Sequence, residues 1–333
     1  LPHGVSAPRD VSKVEEVRVL VTGSNGFIGL ALIAELARRK VIVRGAVRHS
    51  SSFLQDCECV IVGEVNGQTN WHEALVGATE VVHLAARAHI THETAEDSLA
   101  AFRAINTEGT LNLARQAAQA GIRRFVFVST IKVNGEGRDA PYAELDAPAP
   151  EDAYAVSKWE AEHGLRKIAD QTGMEIVVLR VPLVYGPGVG ANFLRLLTAI
   201  DAGWPLPLGR IVNCRSLIYL GNLVDAIIVS LRHPNAANKL FLLSDFEDVS
   251  TTELIRRLAA ALDVKPRLFA LPRAWIRQAA IVLDKRRAVD RLWGSLFVDS
   301  SKIHRELDWL PPFSMDIGLA ETAKWYRRVR GDA

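Results

Sequence analysis

Residues 17–29 read VRVLVTGSNGFIG. An apolar run from Val17 to Thr22 leads into Gly23, Gly26 and Gly29, and a helical pattern continues from Phe27 to about Arg39. A run without polar alternation predicts a strand covered on both faces. At this spacing each glycine has its own task. Gly23 permits a tight turn, Gly26 lets a pyrophosphate come up to the backbone, and Gly29 lets the helix lie close on the sheet. The helix start adds free N–H groups and the positive end of its dipole. Such a triplet also occurs by chance, and the strand before it and helix after it give it meaning. A dinucleotide turn is predicted, with Gly23, Asn25, Gly26, Phe27, Ile28 and Gly29 around the phosphates.

Further runs of the same kind follow at 41–47 (VIVRGAV), 59–63 (CVIVG), 80–86 (EVVHLAA), 123–130 (RRFVFVST) and 174–181 (MEIVVLRV). Helical patterns lie between them, at about 96–120 and 153–172. Strand and helix alternate up to Pro182, which predicts an α/β fold with a doubly wound parallel sheet of Rossmann type. Beyond it, 182–214 is rich in Gly and Pro. A short strand (240–244) and helices at 251–262 and 272–284 follow. We expect a flexible tail over 1–13 and a dinucleotide-binding domain over 14–182, to which parts of 215–245 return. A smaller, partly discontinuous C-terminal substrate domain is expected over 183–214 and 246–330. The 272–284 helix, with Trp275, Ile276, Ile281 and Leu283, is read as core packing rather than membrane contact.

Composition excludes several classes. Forty basic and 38 acidic side chains give a net charge of +2, with no basic stripe interleaved with aromatics, so no nucleic-acid partner is expected. The cluster Lys285, Arg286, Arg287 reads as a solvated helix end. Three cysteines, Cys57, Cys59 and Cys214, with no C-x-x-C pair, argue against a disulfide framework and a zinc site. No metal is expected. No apolar stretch reaches the roughly 18 residues that span a bilayer. The N-terminal LPHGVSAPRD lacks an apolar signal core, and a cytoplasmic setting is expected.

The chemistry is carried by DAYAVSK, residues 152–158. Four residues apart on a helix, Tyr154 and Lys158 share a face. An ammonium beside a phenol favours phenolate, which predicts a tyrosine lowered towards neutral pH and able to give and take protons. Thr130, with Ser129 beside it, closes the fifth strand at the sheet edge where ligands of such folds bind. The expected catalytic set is Thr130, Tyr154 and Lys158. At the end of the second strand stands Arg48 and no acid, which favours NADP over NAD. His83 and His89 are read as structural.

From TGSNGFIG through Tyr154-x-x-x-Lys158 to DSSKIHRELDW (299–309), the chain resembles the extended short-chain dehydrogenases/reductases that modify nucleotide sugars. The resemblance implies that Tyr154 exchanges a proton with a sugar hydroxyl while a nicotinamide takes hydride from the same carbon. It implies that Lys158 supports the phenol and reaches the cofactor ribose, and that Thr130 positions the sugar oxygen. Asn106 matches an asparagine that supports the catalytic helix and is placed in the cofactor set. Glu64 stands where an adenine-binding Asp is common. Val65, Leu84, Ala85, Ala86 and Val181 complete the expected cofactor contacts. Ser129, Lys132, Asn192, Arg215 and Arg291 form the expected substrate side, with Asn192 and Arg215 on a UDP diphosphate. A homodimer through the helices at 96–120 and 153–172 is implied.

Dehydratases of this family carry Asp-Glu directly after the threonine; here those positions are Ile131 and Lys132, and isoleucine transfers no proton. Two reactions at C4 of a UDP-sugar remain. The leading expectation is a 4-ketoreductase of a UDP-4-keto-6-deoxy-N-acetylhexosamine, and the alternative is a UDP-hexose 4-epimerase. A non-catalytic cofactor sensor is a remote third.

Overall fold

The computed structural model describes residues 18–49, 57–88, 95–272, 278 and 293–331. The expected tail, His89, nearly all of the 272–284 helix, Lys285–Arg287 and Arg291 lie outside them.

Seven strands form the main sheet in the order β3-β2-β1-β4-β5-β6-β9. They are β1 (Arg18–Thr22), β2 (Ile42–Val47), β3 (Glu58–Ile61), β4 (Glu80–His83), β5 (Arg124–Thr130), β6 (Glu175–Val181) and β9 (Leu240–Leu242). Every pairing is parallel. The order reverses between β1 and β4, and a crevice opens at such a switch point, beyond the carboxyl ends of the strands. Register sets Thr22 beside His83 and Thr130 beside Val181 along that edge.

Alternation along each strand divides the core. Val19, Val21, Val126, Val128, Val177 and Leu179 pack on one face with Leu32, Ile33 and Leu36 of α1 (Phe27–Arg38) and Ile227 of α7 (Leu220–Arg232). Leu20, Phe125, Phe127 and Val178 pack on the other with Ala74 and Leu75 of α2 (His72–Leu75), Leu113 and Ala117 of α4 (Thr110–Gln119) and Ala161 and Leu165 of α5 (Ala153–Thr172).

The long helix expected over 96–120 is divided. It comprises α3 (Ala95–Phe102), a π-helical stretch Arg103–Gly109, and α4. The wide turn falls where side chains bond a neighbouring helix instead of their own. Thr107 donates to the Ser157 carbonyl at 2.9 Å, and Asn106 donates to Ser157 Oγ at 3.0 Å. Such stretches mark functional sites more often than chance.

After β6 the chain forms a three-stranded sheet, β10-β8-β7, from β7 (Leu183–Tyr185), β8 (Arg215–Tyr219) and β10 (Asp248–Val249). Helices α6 (Ala191–Asp201) and α8 (Thr251–Ala261) pack with it around Leu197, Leu217, Ile255 and Leu258. Tyr185 donates to Asp245 at 2.7 Å, and Asn222 of α7 donates to the same carboxylate at 2.7 Å, so a buried polar junction ties this sheet to α7. Among the described residues, no helix is long and apolar enough to cross a membrane.

Candidate active site

The glycine turn has the shape its spacing predicts. Gly23 adopts φ +64°, and a Cβ there would sit 2.8 Å from the Ala85 nitrogen. A Cβ on Gly29 would lie 2.2 Å from the Gly23 carbonyl. At Gly26 it would meet only that carbonyl, at 3.1 Å, which leaves the outer side of the turn open. Helix α1 starts with no side-chain cap and no acid in its first turn. Open N–H groups and an unopposed dipole suit a dinucleotide pyrophosphate.

Beneath the turn, Thr22 accepts from the Leu84 and Ala85 nitrogens, each at 3.2 Å. It also bonds His83 Nδ1 at 2.7 Å. Thr110 gives its proton to the Asn106 carbonyl at 2.7 Å, so it accepts from His83 Nε2 at 2.9 Å. The ring is therefore neutral with its proton on Nε2. Burial, followed by the Lys158 charge, pulls it down to about 3. This structural histidine fixes the 84–86 turn against β1.

Helix α5 begins where Asp152 accepts from the Ala155 nitrogen at 2.8 Å and ends at Gly173, φ +74°. The buried face it presents at helical spacing includes Ala155, Lys158, Ala161, Glu162 and Leu165. Lys158 Nζ sits 3.9 Å from the Phe127 ring centre, and the Tyr154 ring is 5.9 Å from that of Phe102. Thr130 ends β5 and accepts from the Lys132 nitrogen at 3.3 Å. Lys132 Nζ in turn bonds Asp152 at 2.7 Å, which joins the Thr130 loop to the start of α5 two residues before Tyr154. Among the described residues, neither the Tyr154 hydroxyl nor the Lys158 ammonium has a hydrogen-bond partner.

Several expectations are corrected. Tyr154 is not lowered: burial and then the Asp152 carboxylate push its phenol up to about 12. Lys158 moves the other way, as burial pulls its amine down to about 7 against the Glu162 carboxylate. Desolvation is the leading cause at both groups. Ser129 is not on the substrate side. Strand alternation turns it towards α5, where it donates to Glu162. Lys132 is engaged by two carboxylates, Glu136 at 2.5 Å and Asp152 at 2.7 Å, which clamp the loop after Thr130. Asn106 is fully buried. It accepts from the Arg87 nitrogen and donates to the Arg87 carbonyl and to Ser157, so it supports α5 and is not a direct cofactor ligand. The Val65 side chain lies in the core against Gly109, leaving only its backbone for a cofactor.

Arg48, at the end of β2, pairs across the sheet edge with Glu64 at 3.7 Å, both side chains being more than half exposed. Arg215 is half-buried at the start of β8. Burial lowers its guanidinium, and the Glu136 carboxylate opposes this. Asn192 is exposed in the first turn of α6 and accepts from Arg195 at 3.5 Å. Ala191 before it holds φ +50°, a strained value for a residue with a side chain.

Sequence reasoning missed the network behind the triad. Glu162 and Arg180, both nearly fully buried, pair at 2.6 Å. Arg180 also donates to Asn134 Oδ1 at 2.8 Å. Asp152 carried a readable signal, an acid directly before a helix. Glu162 lies one turn beyond Lys158, but nothing local marks Arg180 or Asn134 as its neighbours. Among the described residues, no group of three or more His, Cys, Asp and Glu could hold a metal.

Comparison with known proteins places this geometry. Residues 19–242 match the model of the NAD dependent epimerase/dehydratase family. A UDP-glucose 4-epimerase of Vibrio cholerae is 43% identical over 310 residues, covering 92% of this chain and 94% of its own. The structure of UDP-glucuronic acid 4-epimerase from Bacillus cereus in complex with NAD superposes with a TM-score of 0.78 at 20% identity, over 95% of this chain and 99% of that one. That likeness is one of fold. MoeE5 in complex with UDP-glucose and NAD gives 0.76 at 25% identity, over 94% and 99%. The matched span takes in the glycine turn, the threonine strand and the tyrosine helix together, and the chain belongs to the NAD dependent epimerase/dehydratase family.

Proposed function

We propose that the chain interconverts UDP-hexoses at C4, as a 4-epimerase that retains NAD. The observation that carries this reading is the Tyr154–Lys158 pair, whose polar ends lack hydrogen-bond partners among the described residues, in a chain 43% identical to a UDP-glucose 4-epimerase. Bound NAD supplies a reversible hydride acceptor. The chain's own residues do the rest. Gly23, Asn25, Gly26, Phe27, Ile28 and Gly29 hold the pyrophosphate. The Thr130 hydroxyl fixes the C4 oxygen. Tyr154, as phenolate, takes the hydroxyl proton as C4 is oxidised and returns it when the turned sugar is reduced. Lys158 stabilises the phenolate before the proton is taken and after it is returned, and its amine at about 7 makes this support sensitive to pH near neutrality. Arg215 and Asn192 grip the diphosphate.

Dehydration is disfavoured because Ile131 is buried and proton-inert and Lys132 is tied to Asp152 and Glu136. The ketoreductase expectation leaned on Arg48 as a receptor for a 2′-phosphate. Glu64 beside Arg48 weakens that support, because a carboxylate repels a phosphate and accepts from ribose hydroxyls. NAD is therefore the proposed cofactor. The homodimer is carried as part of the proposal, with Trp159 on α5 left 40% exposed for a partner helix.

The test is incubation with UDP-glucose, UDP-galactose and their N-acetylated forms, with products resolved by chromatography. Interconversion without added reductant is expected. Stoichiometric NADPH oxidation by a 4-keto sugar, with no interconversion, would overturn the reading.

A further inference from the structure

Two stretches that contain no acidic residue, 203–213 and 264–272, run side by side. The Leu206 nitrogen donates to the Arg267 carbonyl at 2.8 Å, and the Phe269 nitrogen donates to the Leu206 carbonyl at 3.0 Å. Extended backbone then sorts the side chains by alternation. Pro266 and Leu268 turn inward, Leu268 joining Leu206 against the core around α8. Lys265, Arg267, Phe269 and Leu271 turn outward. Arg267 donates to the Gly203 carbonyl at 3.4 Å, which brings its guanidinium beside Trp204. Trp204 is 61% exposed, Phe269 42% and Leu271 39%.

The outer face is thus one short band, cationic at one end and aromatic and aliphatic at the other. Large apolar side chains left in water beside Lys265 and Arg267, with Asp263 the exposed acid next to the basic end, match a headgroup layer. Amphipathic rings settle at a bilayer interface, and basic side chains are drawn to anionic lipid. We propose that this band is a peripheral docking surface for an anionic lipid bilayer. Trp204, Phe269 and Leu271 enter the headgroup region, and Lys265 and Arg267 meet lipid phosphates. The assignment goes beyond the epimerase reading and does not rest on it.

The test is sedimentation of the full chain with sucrose-loaded vesicles, of phosphatidylcholine alone or mixed with phosphatidylglycerol. Binding to the mixed vesicles at low salt is expected, with none to phosphatidylcholine alone. The Trp204→Ser/Phe269→Ser and Lys265→Glu/Arg267→Glu variants should each weaken it on the order of tenfold or more, with unchanged circular dichroism. No binding by the wild-type chain overturns the proposal, as does equal binding to neutral vesicles or binding that both variants retain. Sedimentation velocity without lipid gives one further outcome: a self-association lost in the Trp204 variant, with no vesicle binding, would assign the face to a second copy and overturn it too.

Discussion

Two polar clusters lie against the same helix, and the protein treats them in opposite ways. At the start of α5, Tyr154 and Lys158 have polar ends that no described residue satisfies. Two turns on, Glu162 accepts from Arg180 and Ser129, and Arg180 also reaches Asn134, so every member is bonded. Burial acts on both clusters. In the second, partners offset it, and the result is a fastener joining α5, β5, β6 and the loop after Thr130. In the first, burial outweighs what opposes it, the Glu162 charge on Lys158, and proton affinities move to about 12 and about 7. A folded chain keeps unsatisfied groups where a ligand completes them. In the proposed reading, the difference separates the part that works from the part that holds.

The largest effect that could break this contrast is on turnover. Tyr154→Phe should lower the rate by roughly 10²–10⁴-fold, the usual weight of a positioned acid/base. NAD binding and the urea midpoint should stay where they are. A variant that loses stability in proportion would put Tyr154 with the fastener. Glu162→Gln should do the reverse. It leaves the Arg180 guanidinium buried and poorly matched, with a loss of about 3–5 kcal/mol in urea unfolding. Adding Arg180→Met should recover part of that loss; simple additivity would show that the pair is not coupled.

The buried His83 sharpens the contrast through pH. Its ring titrates at about 3 in the fold against an ordinary value of 6.5, so between those values the unfolded chain binds a proton that the folded chain does not. Stability is therefore whole above pH 6.5 and falls on acidification, by up to ~1.4 kcal/mol for each pH unit. His83→Gln should remove that component, read as the difference between the two unfolding free energies at pH 7 and pH 4.5. The smallest effect belongs to the exposed Arg48–Glu64 pair. Arg48→Ser should change stability by less than about 0.5 kcal/mol and should not weaken NAD binding, measured by calorimetry. A marked loss of affinity for NADP alone would restore Arg48 as the selector.

The parts of the site that could be read along the chain are those whose chemistry is local. VRVLVTGSNGFIG carries its own geometry, because a turn that offers backbone N–H groups must have glycine at set positions. Tyr154 and Lys158 carry theirs, because a spacing of four is one helical turn. The side on which Ser129 lies was not legible, because one residue of strand phase reverses the face. Which carboxylate a lysine meets depends on a helix twenty residues away.

The sequence alone therefore determined the doubly wound sheet, the cradle for a dinucleotide and the identity of the tyrosine, since periodicity and turn chemistry act between near neighbours. Only the tertiary structure decided that Glu162 belongs to Arg180, that Asn106 braces a helix, that Glu64 stands beside Arg48, and that the phenol rises instead of falling. Desolvation and charge pairing depend on distance in space, and residues far apart along the chain become neighbours only when the sheet and its helices close around them.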